Sequence, residues 1–182
     1  AGLGGGTSNA ATIFKYLLKK KIRNKIFEKI VKNIGSDLRL FFYNQGYLNN
    51  IKSVTEFNKN HKLNFLLVYP YVKCSTREIY SKVKKFSKKV KFFRGSFVSK
   101  RNLINNLRNS NNDLQVIVEK KYPVIKRLLS DLSEAKGCIL SRISGSGSTC
   151  YGLFINKNSS KVALKKLRKK YPNFWFSIAN TI

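Results

Sequence analysis

The sequence predicts an α+β fold in which helices and strands are mixed along the chain. Three observations carry that prediction: segments whose apolar residues recur at three- and four-residue steps, short apolar and aromatic runs bounded by turn residues, and a hairpin pattern in the middle. With 182 residues, 42% of them apolar, the chain is long enough for one domain or two small ones. No internal repeat and no low-complexity tract is visible.

The order opens on AGLGGGTSNAATIF, with four glycines in its first six positions. Thr7 or Ser8 is placed to cap a helix in which Ile13, Phe14, Leu17, Leu18 and Ile22 fall on one face. A second helix is predicted over 24–33, followed by the turn NIGSD and by LRLFFY as a strand. Residues 44–62 are polar and turn-rich, and a domain boundary is placed near 61. Beyond it the pattern gives a strand at LNFLLVYPYV, a helix from Ser75 to about Phe86, and a stretch without a clear period up to 110. Helices over 113–122 and 123–135, two strands flanking SGSGS, a basic helix over 160–170 and a strand at FWFSIA complete the order.

A net charge of +29 points first to nucleic acid, because Lys and Arg neutralise phosphates. The distribution points elsewhere. Lysines are spread over nearly every segment, outnumber arginines and accompany abundant Asn and Ile, as codon bias in an AT-rich genome produces. The charge therefore reads as solvated lysine faces, and no specific nucleic-acid partner is expected. Cys74, Cys138 and Cys150 form no CxxC pair, so neither a disulfide framework nor a zinc site is indicated. No apolar run approaches the roughly 18 residues of a membrane span, and no signal-peptide order opens the chain. A soluble protein of a reducing compartment, the cytoplasm, is the expectation, with no membrane partner. His61, the single histidine, is expected to be solvated in a linker. There is no Met, which leads to the expectation of a processed or incomplete chain.

Glycine loops that feed helix N-termini bind phosphate, because unpaired N–H groups and the positive end of the helix dipole converge there. GLGGGTSNAA fits that description as well as that of a flexible connection. It lacks the Lys of a Walker A loop, and Thr7 stands where G-x-G-x-x-G requires its last glycine. The second cluster, SGSGSTC over 144–150, lies between two apolar strands and by itself reads as a hairpin turn.

Together these pieces resemble the GHMP kinases. AGLGGGTSNAA resembles that family's phosphate loop, and is most similar to the version in the 4-diphosphocytidyl-2-C-methyl-D-erythritol kinases, GLGGGSSDAA. The order of further matches is kept: IGSDLRLFF for LGADVPFF, VYPYVKCSTREIY for P-x-V-x-x-[ST]-T-x-x-[IV]-[FY], NNDLQ for NDLE, and ISGSGSTCYGLF for MSGSGSTCFGLF. The resemblance implies a GHMP kinase fold, with residues 1–60 as a partial ribosomal-protein-S5-like N-terminal domain and 61–182 as a ferredoxin-like α/β sandwich. It implies an ATP-dependent kinase for the 2-hydroxyl of 4-diphosphocytidyl-2-C-methyl-D-erythritol, a step of non-mevalonate isoprenoid synthesis, with Mg²⁺.

Position by position, the resemblance implies that Gly2, Leu3, Gly4, Gly5, Gly6, Thr7 and Ser8 cradle the ATP phosphates, with Thr7 or Ser8 reaching a phosphate oxygen or Mg²⁺. Asp37 matches the catalytic aspartate that accepts the hydroxyl proton. Tyr80 matches the aromatic beside the cytosine ring and Thr76 a hydroxyl near the substrate. Ser144, Gly145, Ser146 and Gly147 form a loop that packs beside the first. Asn9 replaces the phosphate loop's Asp, and Ser36, Leu38 and Arg39 depart from A-D-V-P. The family's catalytic lysine, and the His and aromatic for cytosine, lie upstream of its glycine loop and have no counterpart here, which leads to the expectation of an N-terminal truncation and an inactive fragment. Two other readings compete. A basic RNA-binding protein or pseudoenzyme would cluster aromatics with Lys and Arg on one sheet face. A mevalonate or homoserine kinase would carry GLGSS in place of GLGGG.

Overall fold

The structure, a computed structural model, describes residues 2–17, 24–50, 53–88 and 97–181. Its contacts divide the chain into two compact units, Gly4–Asn60 and His61–Thr181, with Gly2 and Leu3 grouped in the latter.

In the N-terminal unit, α1 spans Gly5–Leu17 and α2 spans Asn24–Ile34. The Ser8 N–H already donates to Gly4 O at 2.8 Å, so α1 begins before the expected cap and Thr7 and Ser8 lie in its first turn. Leu18 and Ile22 lie outside the described residues. Phe27, Ile30 and Val31 of α2 gather around Ala11 and Leu38, and α2 stops where Gly35 takes a φ of 132°, open to glycine alone. The next segment corrects the sequence reading. Ser36–Phe42 is a 3-10 helix, not a strand. Leu38 and Phe41 are three residues apart, which a 3-10 turn places on one side and a strand would divide between two faces. Both pack in the same small core. The polar stretch after it holds a hairpin, β1 (Gly46–Asn50) and β2 (Ser53–Glu56), pairing Tyr47 with Thr55 and Leu48 with Val54. With sequences GYLNN and SVTE, neither strand presents an apolar alternation to read.

The C-terminal unit runs β3 (Asn64–Tyr69), α3 (Thr76–Ser81), α4 (Lys100–Asn109), α5 (Gln115–Lys121), α6 (Pro123–Ser133), β4 (Cys138–Ile143), β5 (Cys150–Phe154), α7 (Lys157–Lys170) and β6 (Trp175–Asn180). The four strands form one antiparallel sheet in the order β4-β5-β3-β6. Strand, helices, two strands, helix and strand in that order make the ferredoxin-like split βαβ arrangement. Alternation along β3 sends Leu66 and Val68 to one face, where Ile125, Leu128 and Leu132 of α6 and Ala163 and Leu167 of α7 close the core. Two expectations change here. α3 ends at Ser81, short of Phe86. α4 occupies part of the stretch without a readable period, started by Ser99, whose side chain accepts from Asn102 N. His61 is also corrected: it is 5% exposed, its Nε2 lies 2.8 Å from Phe97 O, and its carbonyl accepts from the Thr181 hydroxyl at 2.6 Å. Thr181 in turn accepts from Leu63 N, so these bonds tie the first strand to the chain's far end.

Candidate active site

In the C-terminal unit the site is built around the turn between β4 and β5. Ser144 N donates to Thr149 O and Gly147 N to Ser144 O, closing the SGSGS loop on itself. Asn112, ahead of α5, donates from Nδ2 to Ile143 O at 3.2 Å and to Gly145 O at 2.8 Å, while Gln115 Oε1 accepts from Ile143 N. Sequence reading singled out NNDLQ as a match but gave these two side chains no role. Asn112 makes an Asx turn ahead of α5, its Oδ1 accepting from Leu114 N, which leaves its Nδ2 to hold the loop.

Gly2, Leu3 and Thr76 meet this loop or lie beside it, and Tyr80 shares the short helix of Thr76. Ser144 Oγ donates to Gly2 O. A Cβ on Gly2, where φ is 89°, would lie 3.0 Å from Gly147 O and 3.2 Å from Ser144 O, so only glycine fits against the second loop. Leu3 lines an apolar cavity of about 270 Å³ with Phe65, Leu67, Leu107 and Tyr151. Thr76 Oγ1 and Ser146 Oγ share a hydrogen bond of 2.8 Å, which ties the start of α3 to the loop. Tyr80, four residues on and so on the same side of α3, stands 52% exposed. Between them Glu78 pairs with Lys121 and, at 2.9 Å, with Lys82; hydrogen bonds from Lys121 first and Lys82 second hold its carboxyl down at about 2. Cys74 packs behind the loop, its Sγ 3.4 Å from where a Gly147 Cβ would be. Burial raises its thiol pKa, as it raises that of Cys138, to about 11, and of Cys150.

In the N-terminal unit, the start of α1 is open. Among the described residues, nothing lies within 4 Å of a Cβ built on Gly5 or Gly6, and no acidic side chain occupies the first turn. The first N–H groups of this helix have no intrahelical acceptor and carry the positive end of the dipole, so they are suited to an anion. Gly4 sits over the Phe41 ring, 3.1 Å from a Cβ built on it, and Thr7 and Ser8 are partly exposed beside the open edge. Asp37 is exposed in the first turn of the 3-10 helix, between Gly35 and the fully buried Leu38. Arg39, a departure noted in the sequence, is 7% exposed and forks onto Glu28, with Nη1–Oε1 at 2.7 Å and Nη2–Oε2 at 2.5 Å. Among the described residues, no three His, Cys, Asp or Glu side chains gather as a metal site, and no helix is long and apolar enough to cross a membrane.

Comparison with known proteins finds likenesses in sequence and in fold. Residues 89–173 fit the model of the C-terminal part of GHMP kinases. The 4-diphosphocytidyl-2-C-methyl-D-erythritol kinase of Pelagibacter ubique is 33% identical over 192 aligned residues, covering 100% of this chain and 65% of the relative. That of Wolbachia pipientis wMel is 33% identical over 189, covering 100% of this chain and 63% of the relative. The chain thus spans slightly less than two thirds of the curated relatives it matches. A crystal structure of a 4-(cytidine 5'-diphospho)-2C-methyl-D-erythritol kinase superposes with a TM-score of 0.72 at 18% identity, covering 98% of this chain and 66% of that one. The fold is therefore that of a GHMP kinase.

Proposed function

We propose, from the likeness of the chain to GHMP kinases and from the shared fold, that the protein carrying it is an ATP-dependent kinase that phosphorylates the 2-hydroxyl of 4-diphosphocytidyl-2-C-methyl-D-erythritol. Its place is then in cytoplasmic non-mevalonate isoprenoid synthesis. The supporting observation is the start of α1, where Gly5 and Gly6 are exposed beside the partly exposed Thr7 and Ser8 and, among the described residues, nothing lies within 4 Å of a Cβ built on either glycine. In this reading Gly2 to Ser8 cradle the triphosphate, and the Ser144–Gly147 loop, braced by Asn112 and Thr76, holds Gly2 in place. Residues 1–60 belong to the ATP-binding domain and 61–182 to the C-terminal domain.

Phosphoryl transfer depends above all on positioning and charge stabilisation, which a row of N–H donors supplies without moving. A hydroxyl from Thr7 or Ser8 would help hold a Mg²⁺ ion bound with the nucleotide, and the ion would supply charge neutralisation at the phosphates, in keeping with its preference for few protein ligands. Asp37 takes the proton of the attacking hydroxyl. Tyr80 offers its exposed ring to the cytosine, and Thr76 a hydroxyl to the substrate. The test is Asp37→Asn in the full-length protein, which keeps size and shape but cannot accept the proton. Turnover falls by roughly 10²–10⁴-fold, while the ATP Michaelis constant and the melting temperature stay close to wild type. Unchanged turnover would remove Asp37 from the mechanism. Joint loss of folding and activity would make it a turn-capping residue.

A further inference from the structure

We infer that Arg39 and Glu28 are the positioning pair that aims the Asp37 carboxylate, an inference resting on the reading of Asp37 as the proton acceptor. The carboxylate is exposed and sits on a 3-10 helix of seven residues. Such a helix has weaker hydrogen-bond geometry than an α-helix and is rarely long, so it does not set its own direction. The residue two before Asp37 is Gly35 at φ 132°, a swivel rather than an anchor. The direction of Asp37 must therefore come from its C-terminal neighbours.

Two consecutive residues supply the anchor by different means. Leu38 is fully buried against α1 and α2, which fixes depth but leaves rotation to the packing of one apolar side chain. Arg39 fixes the rotation. Both terminal nitrogens of its guanidinium meet both oxygens of Glu28, and its Cζ lies 5.5 Å from the Phe27 ring centre. A bidentate fork constrains orientation as well as distance, which a single lysine contact does not. Glu28 and Phe27 are consecutive on α2, an eleven-residue helix that packs in the same small core.

The pair is a poor choice for stability alone. Among the described residues, buried Arg39 Nε has no hydrogen-bond partner, and an apolar side chain of similar length would avoid both that loss and the cost of desolvating the charge. What the pair adds is geometry. At this place A-D-V-P carries a proline, whose ring fixes φ through the backbone. This chain has Arg39 instead and reaches the same rigidity through a side-chain clamp.

The experiment uses the full-length protein with ATP and the cytidyl substrate. Glu28→Gln and Arg39→Lys are each made alone and in an Asp37→Asn background, with turnover, both Michaelis constants and melting temperature measured. Alone, each lowers turnover by roughly ten- to a hundredfold, the cost of misplacing a reacting group by about an ångström, and leaves both Michaelis constants within about twofold. In the Asp37→Asn background each lowers the remaining turnover by less than about twofold, because the group it aims has lost its function. A merely structural role gives equal losses in both backgrounds, and that result would overturn the inference, as would full turnover in both single variants. If Glu28→Gln fails to fold, Arg39→Lys, which keeps the charge beneath Glu28 and removes only the fork, decides alone. Full turnover in Asp37→Asn by itself would instead overturn the reading of Asp37, and the pair would have nothing to aim.

Discussion

Replacing Gly5 and Gly6 together by alanine separates the needs of helix α1 from those of the ligand assigned to it. Both residues are helical, and among the described residues a Cβ on either meets nothing within 4 Å. Each substitution therefore removes backbone entropy without a clash, and stabilises by about 0.5–1 kcal/mol. The pair adds about 1–2 kcal/mol, a rise of roughly 2–8 °C in melting temperature for a protein of this size. The same two methyl groups stand where phosphate oxygens must approach the backbone. Losing one charge-assisted N–H···O contact costs about 1.5–3 kcal/mol, or roughly a ten- to hundredfold rise in the ATP Michaelis constant. The assay is thermal melting of the nucleotide-free full-length protein beside initial rates at varied ATP. A higher melting temperature with unchanged ATP affinity would refute the phosphate site. A lower melting temperature would refute the start of α1 at Gly5.

The C-terminal unit yields two more expected outcomes. Tyr80 is half exposed, so Tyr80→Ala costs little stability; the lost stacking, about 1–3 kcal/mol by analogy with bases on aromatic platforms, raises the Michaelis constant for the cytidyl substrate roughly 5- to 150-fold and leaves that for ATP alone. Equal effects on both would place Tyr80 away from the cytosine. Glu78 titrates below the usual carboxylate range, at about 2, so the contribution of its Lys121 and Lys82 pairs is complete above its unfolded value near 4.5 and is lost as pH falls towards 2. Acid unfolding of Glu78→Gln should therefore differ from wild type above pH 4.5 and converge with it near pH 2; a constant difference across that range would contradict the pairing.

The sequence announced elements whose side chains face a core in one period, and missed those that do not. The four C-terminal strands and α6 were legible because Leu66 and Val68 alternate and Ile125, Leu128 and Leu132 recur at helical steps. The β1–β2 hairpin was not, since Asn49, Asn50 and Ser53 carry no apolar alternation. LRLFFY misled because a short apolar run interrupted only by Arg39 fits either period, and only the packing of Leu38 with Phe41 decides. In the site, the glycine loops and Asp37 stood out by residue type. The braces did not. Asn112, Gln115 and the Glu28–Arg39 fork act through contacts 11 to 33 residues apart, which no local pattern encodes.

The most direct measurement is phosphorus NMR of the full-length protein incubated with Mg²⁺, ATP and 4-diphosphocytidyl-2-C-methyl-D-erythritol, beside parallel samples with mevalonate and with homoserine. ADP is expected to appear together with a new phosphomonoester on the 2-hydroxyl of the cytidyl substrate, with neither other alcohol phosphorylated at a comparable rate. No new phosphomonoester from a folded, nucleotide-binding protein, or equal transfer to mevalonate or homoserine, would contradict the proposed activity.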